Sequence, residues 1–106
     1  MNKVILKGRM VDTPQSAILS QNSEVLNFTL AVSRKHRKNG ESDTDFIRCK
    51  AWNGTANLIE KYFSQGDSII IVGELRNGKY TASGGEDKYY TYVNVDEIDF
   101  AEKKRQ

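Results

Sequence analysis

Apolar and polar residues alternate along most of this chain with a period of two. The pattern is cleanest from Val25 to Ser33, where Leu26, Phe28, Leu30 and Val32 fall on one parity and Asn27, Thr29, Ala31 and Ser33 on the other. Such a segment predicts a strand with one face in a core and the other toward water. Asn2–Met10 alternates in part, Val4, Leu6 and Met10 standing against Lys3, Lys7 and Arg9, and Asp45–Trp52 alternates again. The only proline, Pro14, marks a break after the first strand, and residues 15–24 are polar around Ala17-Ile18-Leu19, a loop or a short edge strand. One segment has a different period. Leu58/Tyr62 and Ile59/Phe63 are spaced i,i+4 behind Thr55, a candidate N-cap, and Gly66 stands where a helix would stop. Ser68–Arg76 follows as a strand with Gly73 as a candidate bulge. Lys79–Ala82 and Lys88–Val95 then flank the turn-rich Ser83-Gly84-Gly85-Glu86-Asp87.

The predicted order is strand, strand, strand, helix, strand, hairpin arm, strand. Five main strands that bend at a glycine bulge, with one helix between the third and fourth, suit a small closed barrel, because closure removes exposed edges. The expected fold class is therefore all-β, an OB-fold: a five-stranded Greek-key barrel. A chain of 106 residues is the size of one ordinary domain, with residues 1–100 assigned to the barrel and 101–106 to a short basic end. Composition changes this picture little: 38% hydrophobic and 28% charged residues read as soluble and globular. The longest apolar run, Ile69–Val72, is four residues, far below the roughly 20 that a spanning helix needs. Met1-Asn2-Lys3 leads directly into the first strand without the features of a secretory leader. Cys49 is the single cysteine; it forms no intramolecular disulfide, supplies no zinc site alone and fits a reducing cytoplasm. With one histidine and no Cys/His cluster, neither a metal nor a cofactor is expected, and no membrane or small-molecule partner.

Net charge is only +2, but its distribution is uneven. Residues 34–50 carry six cations against three anions, and residues 85–100 carry five anions against one cation. A local basic patch on a nearly neutral chain is compatible with a polyanionic partner, and equally with a solvated mixed-charge surface. The strand Asp45–Trp52 narrows the choice. One of its faces receives Phe46, Arg48, Lys50 and Trp52, the other Ile47, Cys49 and Ala51. The second set suits a barrel interior. The first is aromatic, basic, basic, aromatic, which suits neither a core nor a plain solvent face. Single-stranded nucleic acid needs that mixture: unpaired bases stack on rings, and the phosphates require cations between the rings. Duplex DNA hides its base faces, so rings would add nothing there. The competing explanation is that Phe46 and Trp52 cover a loop or a subunit interface.

Two more segments point the same way. Arg34-Lys35-His36-Arg37-Lys38 brings four cations within five residues into the loop before this strand, and Asn77-Gly78-Lys79-Tyr80 opens a hairpin arm with a cation and a ring. Lys88-Tyr89-Tyr90-Thr91-Tyr92 is ambiguous, since its tyrosines fall on both faces and at least one is expected in the core. No catalytic constellation emerges. The carboxylates at 86–99 lack a paired spacing for acid–base work, His36 lies in a basic loop, and neither a GxGxxG nor a P-loop pattern occurs. Cys49 faces inward as an inert thiol. An enzyme is not expected.

At these residues the chain resembles the bacterial and phage single-stranded DNA-binding protein family. The resemblance runs in order through Asn2-Lys3-Val4-Ile5-Leu6-Lys7-Gly8-Arg9, Asn27-Phe28-Thr29-Leu30-Ala31-Val32, Asp45–Trp52, Lys61-Tyr62-Phe63-Ser64-Gln65-Gly66-Asp67 and Val72-Gly73-Glu74-Leu75-Arg76. It implies an OB-fold that binds single-stranded DNA with little sequence preference, a homotetramer or dimer, and no catalysis. Carried over by position, it implies stacking aromatics at Phe46, Trp52 and Tyr80, groove cations at Arg48, Arg76 and Lys79, and pairing between subunits along the first strand, here Asn2, Lys3, Val4, Ile5, Leu6 and Lys7. Where the family often has a stacking tryptophan in the loop after its second strand, this chain has His36. Cellular members continue into a flexible tail with an acidic tip that recruits partner proteins, whereas this chain ends Ala101-Glu102-Lys103-Lys104-Arg105-Gln106. The resemblance thus implies either a tail removed or a short phage, plasmid or specialised member, without tail-dependent partners. The expected mechanism is binding alone, with rings on bases and Arg34, Lys35, Arg37, Arg48, Lys50 and Lys79 along the backbone. Two alternatives stand beside it: an RNA-binding OB module, and a protein-interaction subunit that docks a partner on Phe46 and Trp52, as in replication-restart relatives.

Overall fold

The alternating segments become six strands and the i,i+4 segment one helix in the computed structural model, which describes residues 1–35 and 43–101. In chain order these are β1 (Val4–Met10), β2 (Ala17–Ser20), β3 (Ser23–Ser33), β4 (Thr44–Trp52), α1 (Asn53–Tyr62), β5 (Ser68–Thr81) and β6 (Asp87–Phe100). Their pairing is β1-β5-β6-β4-β3, and a β1–β3 contact at Arg9↔Ala31 and Met10↔Leu30 closes the five strands into a ring. The short β2 lies on the edge of β3, so residues 15–24 hold the edge strand that their pattern allowed. All pairings are antiparallel except the seam between β4 and β6, which is parallel and short, Cys49↔Val93 and Lys50↔Asn94. The architecture is the OB-fold, with the helix between β4 and β5 because β2 also counts as a strand.

The interior is filled by the parity that the alternation assigned. Leu26 and Leu30 from β3, Cys49 and Ala51 from β4, Ile69 and Ile71 from β5, and Val93 and Val95 from β6 are all buried. The helix lays Ala56 and Ile59 over one end of the barrel. Phe63 continues this plug and stacks on Phe100 at 5.0 Å, with Tyr62 edge-on to the same ring at 5.9 Å. No helix among the described residues is long and apolar enough to cross a membrane.

Four boundaries differ from expectation. The helix starts at Asn53, directly after β4, so Thr55 lies inside its first turn and is not the N-cap. Asn53 makes the corner with φ +49°, a left-handed conformation that asparagine tolerates, and its side-chain oxygen accepts the Glu24 backbone N–H at 2.8 Å. The last strand is longer than Lys88–Val95 because its partner is longer too. Ser68–Arg76 and the arm that starts at Lys79 are one strand ending at Thr81, whose ladder with β6 continues from Gly73↔Val95 to Thr81↔Asp87. The register shifts at Val72/Gly73, the expected bulge, and a side chain at Gly73 would run into the Asn94 carbonyl. Finally, β1 begins at Val4, but the Asn2 amide extends its ladder. Its Oδ1 accepts the Leu75 N–H at 2.9 Å and its Nδ2 donates to the Leu75 carbonyl at 2.8 Å.

Candidate nucleic-acid interface

The outward face of β4 carries Phe46, Arg48, Lys50 and Trp52, as its alternation requires, while Ile47, Cys49 and Ala51 turn inward. Phe46 is 66% exposed and Trp52 37%, values that leave both rings open to a ligand. Cys49 is buried, its Sγ lies 3.6 Å from the Ile47 carbonyl, and burial pushes its thiol up to about 12, so it holds no thiolate at neutral pH.

The parallel seam decides what stands beside this face. Lys50 is level with Asn94, which places Tyr90, Tyr92 and Asn94 of β6 on the same outer surface. The Trp52 indole Nε1 donates to Asn94 Oδ1 at 3.0 Å, and this bond orients the ring. The Arg48 guanidinium lies 5.3 Å from the centre of the Tyr90 ring, and the Lys50 ammonium 5.4 Å from Tyr90 and 5.0 Å from Tyr92. These are cation–π distances. Tyr90 and Tyr92 are 5.8 Å apart, and Tyr80 of β5 stands 6.3 Å from Tyr90, so three tyrosines form a row. Beside the β4 cations lie two recesses. One, of about 280 Å³, has Phe46, Arg48, Leu75 and Tyr92 among its walls. The other, of about 380 Å³, runs between the Asp12–Gln15 loop and Tyr90 and Tyr92, above Asn27, Thr29, Arg48 and Lys50.

Phe46, Arg48, Lys50, Trp52 and Tyr80 thus gather on one surface. Arg76, opposite Tyr92 across the hairpin, reaches the same surface but is paired with Glu74, which raises its already high pKa. Lys79 does not join it. It alternates to the other side of the hairpin, opposite Tyr89, and its ammonium lies 3.7 Å from Asp87. Arg34 sits at the root of the loop before β4, bonded to Asp45 through Nη2 at 2.8 Å and Nε at 3.1 Å. The same bonds hold the Asp45 carboxyl below its ordinary range. Lys35 is exposed, and His36 and Arg37 lie outside the described residues. None of the tyrosines is in the core, contrary to expectation: Tyr89 is exposed and Tyr90 and Tyr92 are half-buried on the outer surface.

The residues missed by sequence reasoning are Tyr90, Tyr92 and Asn94. Their parity becomes legible only through the pairing of β6 with β4. Of the positions assigned to subunit pairing, Val4 and Leu6 are half-buried against the core, Ile5 and Lys7 face outward, Asn2 is engaged with Leu75, and Lys3 is exposed. Among the described residues β1 meets β3 only at Arg9 and Met10, which leaves the side of its first half away from β5 without a partner strand. No group of three or more His, Cys, Asp or Glu side chains suited to a metal ion occurs among the described residues.

Comparison with known proteins gives the chain a family. Residues 1–101 match the model of the single-strand binding protein family. A single-stranded DNA-binding protein 1 of Clostridium acetobutylicum is 36% identical, the match covering 100% of this chain and 98% of that protein. A single-stranded DNA-binding protein of Clostridium perfringens is 37% identical over 94% of this chain and 65% of its own length. One from Staphylococcus epidermidis is 34% identical over 100% of this chain and 80% of its own.

Proposed function

The chain belongs to the single-strand binding protein family, and from that premise we propose that it binds single-stranded DNA with little sequence preference, coating the strand and keeping it from re-pairing in replication, recombination or repair. One observation carries the reading: cations and rings interleave on a single outer surface, Arg48 and Lys50 between Phe46 and Trp52 on β4 and against the tyrosine row. A base stacked on an open ring gains about 1–3 kcal/mol, and the gain is sequence-tolerant because every base has a flat face. Phosphates next to those bases meet Arg48 and Lys50 and release their counterions. No bond is made or broken; the action is binding. Assembly of several copies through β1 is part of the proposal, and the half-unpaired strand with Ile5 exposed on it supports that part.

Trp52 is the only tryptophan, so its fluorescence reports this surface alone. Titration with an oligo-dT strand should quench it strongly, a matched duplex should quench it weakly, and added salt should reduce both. If neither fluorescence nor a labelled-strand anisotropy assay detects binding, the reading is wrong. Binding without quenching would place the strand elsewhere on the molecule.

A further inference from the structure

Tyr90 and Tyr92 have no evident structural duty. They lie outside the core, which Val93 and Val95 close from beneath, and yet they are held in place from three sides. Arg48 and Lys50 lie against their faces. Tyr80 flanks the row at its other end. Gly78 stands directly opposite Tyr90 in the β5–β6 ladder, and a methyl group at that position would overlap the Tyr90 ring. Glycine is unfavourable inside a strand, because it costs backbone entropy and offers no side chain to pack. A long hairpin that carries glycine at this position gains one thing from it, a phenol laid flat across the strand. That phenol forms one wall of the recess of about 380 Å³, whose floor carries the Asn27 amide, the Thr29 hydroxyl and the two cations. The volume falls within the range of small-ligand clefts.

We infer that this recess is a nucleotide subsite: an unpaired base stacks on Tyr90 and Tyr92, its phosphate takes Arg48 and Lys50, and Gly78 is the positioning residue that seats the Tyr90 ring. The inference rests on the proposed single-strand binding. It adds Tyr90 and Tyr92 to Phe46 and Trp52 as stacking rings on the same outer surface. The two cations also explain how the rings stay available. A cation over an exposed ring is held weakly and exchanges readily for a phosphate, whereas a hydrophobic cover would have to be stripped.

The test uses the full chain and an oligo-dT strand. With 5-iodouracil placed along the strand, photo-cross-linking and peptide mapping should recover adducts at Tyr90 or Tyr92. Anisotropy titration should show Tyr90→Leu and Tyr92→Leu each weakened by about 5- to 150-fold, and Tyr90→Phe near wild type because the ring is kept. Gly78→Ala, which leaves every tyrosine in the sequence, should lose affinity to an extent comparable to Tyr90→Leu. The cross-linking arm uses wild-type protein, so it stands even where a variant misfolds. If the wild type binds and quenches Trp52, but adducts avoid both tyrosines and the variants bind within twofold of wild type, the subsite is refuted and the parent reading survives. If the wild type fails to bind, both fall together.

Discussion

Arg34 offers the sharpest test of how charge is used at this surface, because its cation is already engaged. Nη2 donates to Asp45 Oδ1 at 2.8 Å, while Nε lies 3.1 Å and 3.2 Å from the two carboxylate oxygens. Asp45 is held below its ordinary carboxylate range by those bonds, so it is ionised throughout the neutral range and its charge offsets the guanidinium. Both groups are solvent-exposed, so the pair adds little to stability. Asp45→Asn should therefore leave the fold intact: the amide oxygen still accepts from Arg34, but the neutralising charge is gone. If the freed guanidinium then meets one phosphate, the log–log dependence of affinity on salt should steepen by about 0.7, an added loss of about 2.6-fold between 50 and 200 mM salt. The opposite change, Arg34→Ala, should weaken binding, since it leaves the Asp45 carboxylate unpaired near a polyanion. The double variant should return toward wild type, which makes the pair a double-mutant cycle read in binding. The assay is anisotropy of a labelled oligo-dT strand at four or more salt concentrations. An unchanged slope for Asp45→Asn would show that no phosphate comes within reach of Arg34, and would remove it from the expected backbone contacts.

Trp52→Ala should cost about 1–3 kcal/mol in oligo-dT binding, whereas Trp52→Phe should retain most of the affinity, having lost only the N–H to Asn94; equal losses for the two would refute stacking as the ring's role. Lys50→Ala should flatten the salt slope by about 0.7 while Lys79→Ala leaves it unchanged, because Lys79 faces away beside Asp87; equal slopes for both would overturn the facing argument. Gly73→Ala should destabilise the fold by about 1–3 kcal/mol, seen as a lower urea midpoint, since its methyl meets the rigid Asn94 carbonyl. Burial raises the Cys49 thiol from 9.0 to about 12, so its contribution to stability is whole below pH 9 and is lost as pH rises toward 12. Wild type should accordingly lose stability relative to Cys49→Ala across that window, and native Cys49 should resist alkylation at pH 8.

Much of the fold was legible because a strand has a period of two and cannot hide it. Asp45–Trp52 sorted its residues between interior and outer face from alternation alone, and Val25–Ser33 did the same for Leu26, Phe28 and Leu30. The helix start was not legible. A capping rule seeks a side-chain oxygen before the first turn and finds Thr55, but the chain enters the helix through a left-handed Asn53 with no side-chain cap. The length of β5 was hidden for a similar reason: Asn77-Gly78 reads as a turn, and only the ladder shows Gly78 inside a strand, opposite Tyr90. Tyr89-Tyr90-Thr91-Tyr92 carries no contrast between apolar and polar positions, so periodicity has nothing to sort. What sorts it is the parallel seam that sets β6 beside β4, the same seam that brings Asn94 to Trp52 across 42 residues of chain.

Not every cation counted along the sequence stands clear of a carboxylate. Arg34 is bonded to Asp45, Arg76 to Glu74, and Lys79 lies beside Asp87, so three of the expected phosphate contacts face carboxylates. Arg48 and Lys50 lie against tyrosine faces. The difference is functional. A carboxylate cancels a cation's charge at a distance, and a phosphate must compete with it as one anion with another. A ring supplies only a quadrupole, worth about 0.5–1 kcal/mol at an exposed site, and leaves the full charge in the field. In the proposed binding, the attraction that steers a single strand to this barrel is therefore concentrated on β4, where the same contacts keep the rings beside the cations in register for the bases that follow.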